Sequence, residues 1–141
     1  MENLKKIFWT HELSIGNEDI DNDHNKLLDI FNDLVELIEY KKDRQEFAKI
    51  LTKLTDYSLN HFKREEEYMR KMDYPFLSEH KNYHRDFIYK VAMYNVNLLK
   101  TNPPDPKEII SFLEEWWTNH ILIHDFDYEH FKNKIQSNLT Y

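Results

Sequence analysis

Apolar residues recur at steps of three and four along most of this chain, which is the spacing of one face of an α-helix. The pattern predicts four long helices, at about residues 19–40, 44–72, 77–100 and 106–134. Stop signals separate them, since Asp73-Tyr74-Pro75 follows the second helix and Pro103-Pro104 follows the third. Four helices joined by short turns predict an all-α fold, an up-down-up-down four-helix bundle.

Residues 1–18 lack this periodicity and are predicted to form an irregular N-terminal arm. Gly16-Asn17 is a turn signal just before the first helix. The aromatic pair Phe8-Trp9 is expected to pack across the bundle. A length of 141 residues suits one domain of ordinary size. We therefore expect residues 1–141 to form a single domain that consists of the arm and the bundle.

Histidines interrupt the apolar faces of all four predicted helices: His24, His61, His80, His84 and His120. His61 and Glu65 are four residues apart, as are His80 and His84, so each pair lies on one side of its helix. A lone histidine on such a face is more often a hydrogen-bonded core residue than a ligand. Counted from the turns at about 1.5 Å per residue, however, the whole set lies at one level of the bundle. Burying it without a partner would cost several kcal/mol, so the set predicts a metal site.

The number and type of these side chains indicate which metal they hold. Five imidazoles together with Glu65 and Asp125 exceed the roughly four ligands of one zinc ion, and they suit two ions. Imidazole and carboxylate together suit iron among the available metals. If both ions are six-coordinate and share one bridging oxygen atom, about one position on one ion stays open. An open position on a ferrous pair would accept a small diatomic molecule.

The fourth helix offers two candidates for the ligand that follows His120. His124 is four residues on and faces the same side of an ideal helix, whereas Asp125 is five residues on and lies about 140° away. Spacing alone therefore favours His124. Charge favours Asp125, because two buried ferrous ions need anionic partners.

Composition and charge exclude several classes of partner. The net charge of -7 and the pI of about 5.6 argue against nucleic acid, because phosphate binding needs clustered Lys and Arg. Hydrophobic residues make up 40% of the chain, but no apolar run approaches the roughly 20 residues that span a bilayer, so no membrane insertion is expected. Cysteine is absent, which leaves nitrogen and oxygen ligands and favours a cytoplasmic location.

Taken together, these motifs resemble the hemerythrins, most closely the single-domain bacterial ones. The similar segments are the arm from Trp9 to Gly16, Ile20-Asp21-Asn22-Asp23-His24, His61-Phe62-Lys63-Arg64-Glu65-Glu66, His80-Lys81-Asn82-Tyr83-His84, and Trp116-Trp117-Thr118-Asn119-His120 leading to Asp125 and Tyr128. The resemblance implies a non-haem di-iron centre, bridged by carboxylates and an oxo or hydroxo group. It also implies reversible dioxygen binding for carriage, storage or delivery.

The resemblance assigns the ligands to two irons. One iron would be held by His80, His84 and His120, the other by His24 and His61, and both by the bridging Glu65 and Asp125. The iron of His24 and His61 would keep the open position. By this pattern Asp125 is the ligand, and His124 is a residue of the surface or of the surroundings of the site.

An apolar wall is expected around the site, formed by Phe62, Phe87, Trp116 and Ile121, and the ligand pocket is expected to be lined by Phe62, Trp116, Trp117 and Ile121. Such a wall would keep water away from a bound ligand. Where the family commonly has leucine lining the oxygen pocket, this chain has Trp117. The larger ring is expected to shrink the pocket and slow ligand exchange, or to swing outward. Glu66 and Glu67 are expected to face solvent.

Two other functions compete with an oxygen carrier: a sensor for oxygen or nitric oxide, and a di-iron enzyme of the oxidase or peroxidase type. Ferritin-like di-iron oxidases use a carboxylate-rich ligand set with Glu-x-x-His, whereas this chain is histidine-rich with pairs four residues apart. We therefore predict a binding protein and not an enzyme. The expected partners are dioxygen, nitric oxide or azide-like anions, with an oxygen-consuming oxidase as a candidate protein partner.

Overall fold

The computed structural model describes residues 6–39 and 43–139, and within them the chain forms long helices and no strand. The helices are α1 (Glu18–Glu39), α2 (Arg44–Lys71), α3 (Leu77–Leu98), α4 (Pro106–Asn119) and α5 (Phe126–Leu139). A π-helical segment, His120–Asp125, joins α4 to α5, so that these three elements form the fourth long helix. Residues 1–5 of the predicted arm and residue 40 of the first predicted helix lie outside the described residues.

The four long helices form a ring of neighbours, and the predicted four-helix bundle is confirmed. Helix α1 packs against α2 and α4, and α3 packs against the same two helices. Within the described ranges, no helix combines the length and the hydrophobicity of a membrane-spanning segment.

Side chains at the helix ends explain where α2 and α4 begin. The carboxylate of Asp43 accepts a hydrogen bond from the backbone N–H of Glu46, 2.9 Å away, which satisfies a free donor of the first turn. Asp105 accepts from the N–H of Lys107 in the same way, and Pro106 takes the first helical position, where its missing N–H costs nothing. These caps favour the observed start of each helix.

Helix α2 ends in a tight turn centred on Asp73. This residue has a left-handed backbone conformation, with φ of 54°. The N–H of Asp73 donates to the carbonyl of Arg70, and the N–H of Tyr74 donates to that of Met69, which is the Schellman pattern. Pro75 follows and cannot continue the helix. The chain therefore reverses within a few residues and places α3 beside α2.

The N-terminal arm is fastened to α1 by polar contacts. The backbone of Ile7 exchanges two hydrogen bonds with the side chain of Asn32. Nearer the helix, Asp21 accepts from the hydroxyl of Ser14 and from the N–H of Ile15. The expected packing of both arm aromatics is wrong for Phe8, which is 70% exposed.

Two apolar clusters fill the bundle, and a layer of polar side chains separates them. In α1 the layer lies between Ile20, which belongs to the smaller cluster, and Leu27, which belongs to the larger one. In α2 it lies between Leu54 and Met69, which again belong to the two clusters. The polar layer is therefore enclosed by hydrocarbon above and below, which excludes water and strengthens electrostatic interactions.

Candidate metal centre

The polar layer consists of the five predicted histidines and two carboxylates, and each side chain is buried. It contains His24, His61, Glu65, His80, His84, His120 and Asp125, none of which is more than 3% exposed. The structure thus brings all seven predicted ligands together. Their nitrogen and oxygen atoms form two groups, each with atoms within 4.8 Å of one another. Glu65 belongs to both groups, so the two sites share a carboxylate.

Each carboxylate presents one oxygen to either half of the cluster. Glu65 Oε2 lies 2.8 Å from His61 Nε2, whereas its Oε1 lies 2.7 Å from His80 Nε2. Asp125 Oδ2 lies 3.1 Å from His24 Nε2, whereas its Oδ1 lies 3.0 Å from His120 Nε2. Two carboxylates that each face both halves are the arrangement that two bridging ligands require.

The imidazoles turn the same nitrogen, Nε2, towards the centre. His61 donates from Nδ1 to Asp23, 2.9 Å away, and His84 donates from Nδ1 to Glu66, 2.8 Å away. A neutral imidazole that donates from Nδ1 has a lone pair on Nε2, which is the atom that binds a metal. The outer hydrogen bonds therefore select the metal-binding tautomer of both rings.

The nitrogen and oxygen atoms at the centre of the cluster form few hydrogen bonds with one another, as expected of atoms that bind a metal. His84 Nε2 and His120 Nε2 are 3.0 Å apart, about the separation of two nitrogens bound at right angles to one ion at roughly 2.1 Å. His24 Nε2 and Asp125 Oδ2 are 3.1 Å apart, but these atoms and Asp125 Oδ1 have no hydrogen bond of good geometry within the described part of the chain. Such orphaned groups are costly inside a protein, and metal ions of the predicted kind fit them.

A local change of helix geometry brings Asp125 into the cluster. The predicted single α-helix over residues 106–134 is interrupted by the π-helical segment, and the helix continues to Leu139. A π-helix bonds residues five apart, so Asp125 lies above His120, as a residue four apart would in an α-helix. His124, which ideal α-helical spacing favours, is half-buried outside the cluster, and its ring stacks on Tyr83 at 3.9 Å.

The chain matches the family model described as the hemerythrin HHE cation binding domain, over residues 15–129. The chain belongs to the hemerythrin family. It is 32% identical over 124 residues to a bacteriohemerythrin of Clostridium acetobutylicum, covering 85% of this chain and 96% of that protein. It is 30% identical over 115 residues to a bacteriohemerythrin of Stenotrophomonas maltophilia, covering 82% and 74%. It is 26% identical over 121 residues to a myohemerythrin of Riftia pachyptila, covering 86% and 89%.

These findings confirm the resemblance to bacterial hemerythrins that the motifs indicate. The matched region, residues 15–129, contains every residue of the polar layer. The described cation binding of the family domain agrees with the two groups of ligand atoms.

Charge within the hemerythrin site is balanced even when metal is absent. Burial alone would raise the pKa of Glu65, but His61, His120 and His24 hold it well below its ordinary value. Burial would lower the pKa of His24, but Asp125 and Glu65 raise it to about 9. Burial would also lower the pKa of His80, but Asp125 and Glu65 raise it to about 9. In the metal-free protein, the buried carboxylates therefore favour protonated imidazoles, whose positive charge offsets theirs.

Metal-free protein is expected to become less stable as the pH rises from about 6.5 to about 9. His24 and His80 titrate near 6.5 when unfolded and near 9 when folded. The folded state thus binds their protons more tightly, so their stabilisation is complete below pH 6.5 and is lost as the pH rises through 9. Urea unfolding of chelator-treated protein at pH 6 and pH 9 measures the change, expected to be roughly a few kcal/mol.

Iron-loaded protein provides the control for this pH dependence. A bound metal displaces the protons from these nitrogens, so the loaded protein is expected to lack the decline. A metal-free protein whose urea midpoint is constant or rises between pH 6 and pH 9 would contradict the charge balance described above.

A hydrogen-bonded group behind His61 is not among the predicted site residues. Asp23 is 6% exposed and accepts hydrogen bonds from His61, Arg64 and Tyr57. Burial would raise the pKa of Asp23, but the bonds from His61 and Arg64 hold it well below its ordinary range. Asp23 therefore remains ionised and fixes the ring of His61. The signal available in the sequence was an acidic residue beside His24.

The prediction that Glu66 faces solvent is wrong, although it is right for the neighbouring Glu67. Glu66 is half-buried and accepts the hydrogen bond from His84, whereas Glu67 is exposed and pairs with Arg70. Three glutamates in a row point in different directions on a helix, and only the position of α3 decides which of them meets an imidazole.

Substitution of Asp23 by asparagine is expected to weaken iron binding by about 10- to 100-fold, the usual effect of removing a partner of a metal-binding histidine. The amide carries no charge and can turn an N–H towards His61, so the ring loses its fixed orientation. Competition with a chelator of known affinity measures the change. Asp29→Asn, an exposed position on the same helix, is the matched control and is expected to bind iron like the wild type. Equal affinity of both variants would show that Asp23 does not orient the ring.

The four predicted pocket residues lie around the cluster in different ways. Phe62, Trp117 and Ile121 are buried, and Phe62 stacks on the ring of His84 at 3.8 Å. Trp116 is half-buried and stacks on His120 at 4.4 Å. Trp117 is only 4% exposed, so the alternative in which it swings outward is wrong. Its ring remains inside the bundle as part of the apolar wall.

Proposed function

We propose that this chain holds two non-haem iron ions and binds dioxygen reversibly, as a carrier, store or delivery protein. The observation that carries the proposal is that Glu65 and Asp125 each turn one oxygen to either half of the cluster. Membership of the hemerythrin family supports it. A cytoplasmic location, which the lack of cysteine favours, belongs to the same proposal.

In this proposal the ligands divide according to the two groups of atoms. His80, His84 and His120 would hold one iron, His24 and His61 would hold the other, and Glu65 and Asp125 would bridge them with an oxo or hydroxo group. Two ferrous ions held by these residues would supply the two electrons that reversible binding of dioxygen requires.

The side chains around the proposed irons orient the histidine rings, supply negative charge and exclude water. Asp23 and Glu66 fix the rings of His61 and His84 from outside, which keeps their inner nitrogens ready for metal. The two carboxylates supply negative charge in a buried layer, where ferrous ions would otherwise be unbalanced. Phe62 and Trp117 exclude water from the layer, which disfavours protonation and loss of a bound ligand.

The histidine-rich ligand set favours reversible binding over substrate oxidation. The cluster has five imidazoles and two carboxylates, whereas the ferritin-like di-iron proteins use a Glu from each of two helices and Glu-x-x-His from each of the other two. Fewer anionic ligands stabilise highly oxidised iron less, so the ligand set suits a binding protein and not an oxidase.

The proposal is tested by metal analysis and optical spectroscopy on the same sample. Freshly reconstituted protein is expected to contain two irons per chain. After reduction, exposure to oxygen is expected to produce a charge-transfer band that disappears under vacuum and returns with oxygen. Immediate and irreversible formation of the diferric protein would indicate an oxidase, and fewer than two irons would contradict the centre itself. Chelator-treated protein is the control and is expected to show no band.

A further inference from the structure

The two halves of the cluster have unequal numbers of imidazoles. One group of ligand atoms comes from Glu65, His80, His84 and His120, and the other from His24, His61, Glu65 and Asp125. Because Asp125 also lies 3.1 Å from His80, the first half has three imidazoles and both carboxylates, while the second has two imidazoles and the same carboxylates. If both ions are six-coordinate, the half with fewer protein donors would leave a coordination position for an external ligand.

The side chain of Trp117 lies beside both halves of the cluster and is close to both imidazoles of the half with fewer donors. The centroid of its ring system is 6.1 Å from the rings of His24 and His61, and it is 6.2 Å from the ring of His120 in the other half. Phe62 stacks beside it at 5.9 Å, and the indole is 4% exposed. A group at this position would contact a small ligand held between His24 and His61.

The indole of Trp117 also carries a polar group that the protein leaves unpaired. Its Nε1–H is buried and finds no hydrogen-bond acceptor within residues 6–39 and 43–139. Buried N–H groups are nearly always paired, because losing water without gaining an acceptor is costly. Beside a cluster that could hold metal, this unpaired donor is available to an acceptor on a bound ligand.

We propose that Trp117 donates a hydrogen bond from Nε1 to a small anionic ligand bound on the side of His24 and His61. This inference rests on the proposed function and adds a residue that determines specificity. The favoured ligands would be those that carry negative charge on an atom beyond the one at the metal, as azide does. A leucine could fill the space but could not make this bond.

The first test compares azide binding to the diferric wild type and to Trp117→Phe by optical titration. Phenylalanine keeps an aromatic ring and removes the donor. The dissociation constant for azide is expected to rise about 10- to 100-fold, the effect of losing a hydrogen bond to a charged group. Trp9→Phe, the same change in the N-terminal arm, is the matched control and is expected to bind azide like the wild type. Equal affinity of the wild type and Trp117→Phe would overturn the proposal.

A second measurement does not depend on whether the variant folds. The infrared stretching band of azide bound to the wild type is expected to shift when the protein is transferred from H₂O to D₂O, because the indole proton exchanges. Trp117→Phe is expected to lack this shift. An unshifted band in the wild type would overturn the proposal without any variant. If the wild type bound neither iron nor azide, the proposed function would fail and this inference with it.

Discussion

Replacing Glu65 by glutamine is expected to lower the iron content from the proposed two ions per chain to fewer than one. Glu65 is the residue that both groups of ligand atoms share. The amide removes a negative charge from a fully buried layer, and it replaces one oxygen with an NH₂ group that cannot bind metal. Both halves of the site therefore lose a ligand through one substitution. Iron analysis after reconstitution and gel filtration measures the effect.

Glu67→Gln is the matched control for this experiment. Glu67 lies on the same helix, receives the same chemical change and is exposed at the surface, where it pairs with Arg70. The control is expected to retain two irons and the optical spectrum of the wild type. Far-ultraviolet circular dichroism should show that both variants are folded. A folded Glu65→Gln protein that retains two irons would contradict the bridging role of Glu65.

The second large effect is expected when Asp125 and its neighbour His124 are replaced separately, because only one of the two replacements should reduce the iron content. Asp125→Asn is expected to reduce the iron content to one ion or fewer, whereas His124→Asn is expected to retain two. Asp125 is fully buried with its oxygens 3.0 Å from His120 and 3.1 Å from His24, and His124 lies outside the layer against Tyr83. The two variants together distinguish the π-helical segment, in which Asp125 is the ligand, from a regular α-helix, in which His124 would be the ligand.

Iron analysis on both variants decides between these geometries. Loss of iron in His124→Asn and its retention in Asp125→Asn would mean that the helix is regular at this point. Loss in both variants would mean that the segment tolerates no change, and thermal unfolding of the metal-free proteins would then show whether the fold had been damaged. The expected result is that both metal-free variants unfold at about the same temperature as the metal-free wild type.

The local parts of the fold could be predicted from the chain itself. Helical periodicity locates the four long helices, and the caps at Asp43 and Asp105 locate two of their starts. Helices and their caps depend on residues only a few positions apart, so the spacing of residues in the sequence is enough to predict them. The position of seven side chains at one level of the bundle was predictable for a related reason. In helices joined by a short turn, residues that are equally far from the turn lie at about the same height.

Features that depend on contacts between helices were harder to predict. The spacing of residues from His120 to Asp125 fits a regular α-helix and does not by itself predict the π-helical segment that the structure shows there. The role of Glu66 depends on the approach of His84 from α3, and the role of Asp23 depends on that of His61 from α2. Phe8 is 70% exposed, although its apolar ring favours burial.

The order of apolar and polar residues by itself determined an all-helical bundle with a buried layer of imidazoles, because helix geometry converts spacing along the chain into position on a face. Helical spacing favoured His124, whereas charge and the family resemblance favoured Asp125, and the tertiary structure places Asp125 in that layer. It also decided that the ring of Trp117 stays inside, against His24 and His61. Both outcomes depend on which side chains of neighbouring helices lie at the same height in the bundle. The spacing of residues within a single helix does not contain this information.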